Sequence, residues 1–196
     1  MTESRKSPTP DTKAAREAHD TARGLLSPVL YNHSMRTYLL GAAYAERTGR
    51  EFDEEGLYIA AMYHDLGMVP ENIRGHTSFQ QTSSRLMREF LVTHGFAGDR
   101  IRRLSDAIDY HMRLFPEWSR GNDAGLLQVG AWMDVMYLRR WAIWRRAGEI
   151  ARAYPRKGLD FLFPINLLRT IRGPRSCAGL IFPAAPGTSA NPGDAA

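Results

Sequence analysis

The chain has 196 residues, enough for one core of moderate size and too few for two independent domains. A hydrophobic fraction of 43% with 24% charged residues excludes disorder throughout, and no run reaches the roughly 20 apolar residues that a membrane helix needs. The formal net charge is +5, much of it from Arg139, Arg140, Arg145, Arg146, Arg152, Arg156 and Lys157. With no nucleic-acid recognition motif beside them, these read as a solvated helix face, so neither a nucleic acid nor a membrane is expected as partner.

Residues 1–12 are polar with two prolines and form an expected flexible arm. The opening MTESRKSPTPDTK lacks the apolar stretch of a signal peptide, which makes a cytoplasmic location the expectation. A first helix is predicted from about Thr12 to Leu26. Ser27 then Pro28 form an N-cap with proline at the first helical position, and Gly49 stops that second helix. Asp53 caps a third, Glu54 and Glu55 suit the positive end of its dipole, and Gly67 is placed to terminate it, which sets His64 and Asp65 in its last turn. Thr77 and Gln80 have capping-box spacing for a fourth helix ending near Gly95. A fifth runs from Asp99 through Met112, Pro116 marks a loop, and a long sixth extends from about Asp123 to Arg146.

Beyond Tyr154 the pattern weakens. Pro164 starts a short predicted helix through Ile171, and 183–196 has the composition of a disordered tail. No alternating strand pattern competes, so the fold class is all-α, with one domain over 13–182. The apolar segment LDFLFPINLL at 159–168 either packs back on its own bundle, the favoured reading, or docks on a second subunit in a homo-oligomer.

Cys177 is the only cysteine, so an internal disulfide and a cysteine-rich zinc site are excluded, and a metal must use His and carboxylates. Helical spacing selects the candidates. His33 shares a face with Leu30 and Leu40, His64 with Leu57, Ala60 and Ala61, His111 with Leu104, Ala107 and Ile108, and Asp134 with Leu127, Gly130, Ala131 and Leu138. All four are expected to point inward. A buried Asp134 needs a cation, either a metal or Arg36, one turn beyond His33. One ion bound by His33, His64, Asp65 and Asp134 would meet these demands together.

The ordered segments NHSMR (Asn32 to Arg36), YHDLG (Tyr63 to Gly67) and GAWMDV (Gly130 to Val135) resemble the HD superfamily of helical metal-dependent hydrolases, over about residues 26–140. The resemblance implies a helical bundle with the metal site between its helices, ligated by His33, His64, Asp65 and Asp134. LYNHSMR, FQQTSSRLMREFL, AIDYHM and VGAWMDV are further similar to cyanamide hydratase and its relatives. That branch implies one divalent transition metal, zinc before Fe²⁺ or Mn²⁺, and addition of water to a small nitrile carbon to give an amide or urea. Gln80 departs from it, standing where the relatives tend to carry an acidic residue.

A catalytic zinc brings the pKa of bound water to about 7. Asp65 and His111 are the candidate proton relays, His111 being alternatively a core histidine bonded to backbone. Arg36, Gln80 and Phe79 are candidate substrate contacts, and Met62, Met68, Phe115 and Trp118 are further pocket candidates. The second enzymatic reading is a phosphohydrolase acting on a nucleotide or other phosphate ester, with Arg36, Arg74 and Arg85 clamping the charge. A dinuclear iron oxygenase drawing on His76, His94 and His111 is a third reading, weakened by Phe79 where an extra histidine would align. A non-catalytic binding protein is the fourth.

Overall fold

The computed structural model describes residues 9–72 and 77–160. These contain seven α-helices and no strand. The helices are α1 (Lys13–Leu25), α2 (Pro28–Thr48), α3 (Glu54–Tyr63), α4 (Phe79–Thr93), α5 (Gly98–Tyr110), α6 (Asn122–Val135) and α7 (Trp144–Ala153). The all-α expectation is met. The short helix predicted from Pro164, the 183–196 tail, Arg74 and His76 lie outside the described residues.

Ser27 and Asp53 are the predicted N-caps, and Thr12, where the first helix is expected to begin, is a third. Thr12, Ser27 and Asp53 each accept from the backbone N–H three residues on, satisfying donors that a helix start leaves open. Gly49 closes α2 at φ 65°, a left-handed position that glycine takes without strain. Farther along, α4 is capped by Ser78 rather than Thr77, and α5 ends at Tyr110 with His111 as its C-cap.

Helix α3 is the axis of the bundle. Every residue from Gly56 to Tyr63 is buried, and the helix touches α1, α2, α4, α5 and α6. The face of α1 that meets it is built from Ala14, Ala15, Ala18 and Ala22, small enough for close approach.

Helices α2 and α6 cross more closely still, and they do so in register. A Cβ on Gly41 would lie 2.8 Å from the Leu126 carbonyl oxygen, and one on Gly130 would lie 2.0 Å from that of Thr37. Each step is four residues, up one helix and down the other. The next step of this antiparallel ladder sets His33 against Asp134, whose side chains meet at 2.7 Å.

Two expectations are corrected. Gly67 does not end a helix by a left-handed turn: α3 stops at Tyr63, and a short 3₁₀ turn at Leu66–Met68 follows. Glycine is needed there because a Cβ would fall 2.1 Å from the Phe79 carbonyl oxygen, at the start of α4. The long sixth helix is broken. Tyr137 and Arg139 take left-handed conformations (φ 58° and 59°), and α7 folds back so that Ile143, Ala147 and Ile150 pack with Leu40 and Ala43. Leu138, expected on the buried face, is exposed.

Gly130→Ala should therefore overpack the α2–α6 crossing and lower stability by about 1–3 kcal/mol. Gly148→Ala on α7, where a Cβ meets nothing within 4 Å, should be neutral or stabilising by up to about 1 kcal/mol. Chemical denaturation of both variants checks the contrast, and equal effects would remove the close-approach argument.

Candidate metal centre

His33 projects from the second turn of α2, while His64 and Asp65 follow α3 directly. His64 keeps the last helical hydrogen bond, its backbone N–H donating to Ala60 at 2.9 Å. Asp65 then leaves the helix at φ −110°, ψ 4°, the sparsely populated region between helix and strand. This bend turns two consecutive side chains toward one point. Three atoms meet there: His33 Nε2 lies 3.3 Å from His64 Nε2 and 3.5 Å from Asp65 Oδ2, and His64 Nε2 lies 3.4 Å from the same oxygen.

Hydrogen-bond chemistry fixes what these atoms carry. A carbonyl oxygen only accepts, so His64 Nδ1, 2.7 Å from the Ala61 oxygen, holds the proton. The same argument gives His111 its proton on Nδ1, 2.6 Å from the Ile108 oxygen. His33 Nδ1 donates to the Asp134 carboxylate at 2.7 Å. His64 Nε2 thus presents a lone pair, 3.3 Å from His33 Nε2, and both atoms face Asp65, neither of whose buried oxygens accepts a hydrogen bond among the described residues. Such a cluster calls for a shared proton or a shared metal ion.

The spacing suits one. A tetrahedral zinc site with bonds of about 2.1 Å has ligand-to-ligand edges of about 3.4 Å, and the three observed separations are 3.3, 3.5 and 3.4 Å. His33, His64 and Asp65 form the potential metal-holding group among the described residues, and all three are buried.

Burial sets the protonation. It lowers His64 to about 3, helped by neighbouring His33, and His111 to about 4, helped by His64. Asp65 is raised, again by burial. Burial would also raise Asp134, but the hydrogen bonds from His33 and Arg36 outweigh it and hold that carboxyl well below the usual range.

Asp134 does not join the three-residue group. Its Oδ1 accepts from Arg36 Nε at 2.7 Å and Arg156 Nη1 at 3.0 Å, and its Oδ2 from Arg36 Nη2 at 2.8 Å as well as from His33. Arg36 correspondingly does not face a substrate. It is fully buried, and its remaining Nη1 donates to the carbonyls of Tyr154 and Pro155. His111 stands with its ring edge-on to His64, 5.1 Å between centroids, and Phe79 packs edge-on to His111 at 5.7 Å.

Phe79, Met68, Met112 and Leu159 form one buried apolar cluster on this side. Gln80 and Met62 are buried, whereas Phe115 is exposed and Trp118 is half-buried beneath the Arg50 guanidinium; these last two do not line the site. His94 pairs with Glu17 at 2.8 Å, away from the centre. Sequence reasoning missed Arg156, which it placed on a solvated face, and no local pattern marks it.

Residues 30–136 match the family model of the HD domain. No curated protein matches the chain. No helix among the described residues is long and apolar enough to cross a membrane.

The depressed pKa of His111 has a sign that can be tested. The unfolded chain takes up this proton near pH 6.5 and the folded one only near 4, so this contribution to stability is full above 6.5 and is lost as pH falls. In excess chelator, melting temperature should fall less between pH 7 and 5 for His111→Gln than for the parent. An identical loss in both would place that proton uptake elsewhere.

Proposed function

Since the chain belongs to the HD-domain family, whose members are in general metal-dependent hydrolases, we propose that it activates water on one divalent transition metal to hydrate or hydrolyse a small molecule. The observation that carries this reading is the convergence of two imidazole Nε2 atoms and a carboxylate oxygen that accepts no hydrogen bond, in a buried site at tetrahedral spacing. His33, His64 and Asp65 would hold the metal, with zinc preferred for two imidazoles and a carboxylate. The bound cation supplies a water of lowered pKa and a positive charge for developing anions.

The chain's own groups do the rest. Asp65 has a second buried oxygen that would be available to accept a proton. His111, neutral with its lone pair on Nε2, moves a proton between water and substrate. The wall of Phe79, Met68, Met112 and Leu159 keeps bulk solvent away and favours a small, weakly polar substrate. Addition of water to a nitrile carbon, as in cyanamide hydratase, fits this description: oxygen goes to carbon and the protons go to nitrogen.

Phosphoester hydrolysis is the alternative reaction, and the arginines assigned to it give it less support. Arg36 is committed to Asp134 and to backbone carbonyls, and exposed Arg85 pairs with Glu89 at 2.7 Å.

Metal analysis should find one ion per chain in the parent and almost none in His64→Ala or Asp65→Ala; full retention in both would place the ion elsewhere. His111→Gln should keep its metal and lose about 10²-fold or more in kcat. Turnover of cyanamide and related nitriles set against nucleoside monophosphates decides the reaction. Phosphate release with nitriles untouched would sink the hydratase reading.

A further inference from the structure

We propose that the turn between α6 and α7 is a face that docks the protein on an anionic lipid surface. The segment 136–157 carries seven cations against the single carboxylate of Glu149, which exceeds the whole formal charge of +5 and leaves the rest of the chain slightly acidic. From sequence this charge reads as a plain solvated face. The structure adds what spacing could not show, because large apolar side chains stand outward among the arginines. Trp141 and Trp144 are 81% and 67% exposed, and Met136, Tyr137 and Leu138 are exposed as well.

The backbone sets this display. Residues three apart in a 3₁₀ turn eclipse one another, and the turn Arg140–Ile143 runs directly into Trp144 at the start of α7, so the two indoles share one side. The inward side is a separate set, Ile143, Ala147 and Ile150, packed with Leu40 and Ala43 of α2. Tyr137 and Arg139 hold left-handed conformations that non-glycine residues take only at a cost. Core packing does not account for a strained turn that leaves two indoles in solvent.

Charge and shape select the occupant. Indoles flanked by guanidiniums have the composition of an interfacial belt, in which the rings sit at headgroup level and the cations meet lipid phosphates. The Arg145 guanidinium lies 5.1 Å from the Trp144 ring centroid, and Arg47, Arg145 and Arg146 line a groove of about 660 Å³ beside it, together with Glu46. That groove suits an anionic headgroup. A second copy of the chain fits poorly, because a two-fold contact would set these arginines against themselves. Single-stranded nucleic acid would use the rings but leave Met136 and Leu138, which cannot stack on bases, without a role.

The full chain should be mixed with vesicles of phosphatidylcholine alone and of phosphatidylcholine with phosphatidylserine, and bound protein measured by flotation. The parent should bind the anionic vesicles only, and less tightly as salt rises. Two double variants, Trp141→Ala with Trp144→Ala and Arg145→Gln with Arg146→Gln, should each bind about 10-fold or more weakly while melting as the parent does. Brominated lipid should quench the tryptophan emission of the parent and spare that of the first variant, which keeps Trp118 and Trp132. No binding to anionic vesicles at low salt, or full binding by either double variant, would overturn the proposal. Capture of a single-stranded oligonucleotide, or self-association through this face, in place of vesicle binding would overturn it too.

Discussion

Each of three buried histidines gives its Nδ1 proton to a fixed acceptor: His64 to a carbonyl one turn back on α3, His111 to a carbonyl one turn back on α5, and His33 to a carboxylate on α6. For His64 and His111 those bonds leave Nε2 without a proton, and His64 Nε2 is the atom aimed at His33 and Asp65. Burial then keeps these two neutral, since a charged imidazole in this interior is disfavoured down to pH values near 3 and 4 for His64 and His111. The same burial that makes Asp65 costly as an isolated anion makes it a strong partner for a cation.

The scaffold's contribution is to remove freedom from these groups. The ladder of close approaches between α2 and α6 advances one helical turn at a time, so the distance from His33 to Asp134 is inherited from backbone contacts at Thr37 and Gly41. Glycine at 130 is less a matter of flexibility than of thickness. The His64–Asp65 bend is likewise held against α4 by Gly67, whose N–H donates to Ser83 Oγ at 2.8 Å. Second contacts of this kind are what separate a metal site from a chance meeting of polar side chains.

Much of this was legible in the sequence because it is local. N-cap chemistry at Ser27 and Asp53, the proline after Ser27 and the glycine at 49 act within one turn of themselves. The inward facing of His33, His64, His111 and Asp134 follows from helical periodicity alone, and all four are buried. What sequence reasoning could not reach depends on distant partners. Gly67 was read as a stop signal, since a terminator and a thin spot both call for glycine and spacing does not distinguish them. The break after Val135 hid inside an unbroken helical pattern, because the gain from packing α7 on α2 is tertiary. Asp134's competing demands, metal or arginine, were both visible, but Arg156 lies 22 residues downstream and reaches it only through the turn at 154–158.

That last connection bears on the order in which the molecule is built. The residues that converge on the centre appear within the first 65 positions of the chain, yet His33 is bonded to Asp134, and Asp134 in turn to Arg156. Arg36 ties the same late segment down through the carbonyls of Tyr154 and Pro155, and Leu159 closes the apolar wall. These are contacts of long sequence separation, the slowest kind to form. During synthesis an early α1–α3 unit would have two imidazoles and a carboxylate but not the carboxylate that accepts from His33, so the complete polar centre belongs to the finished bundle and not to the nascent chain.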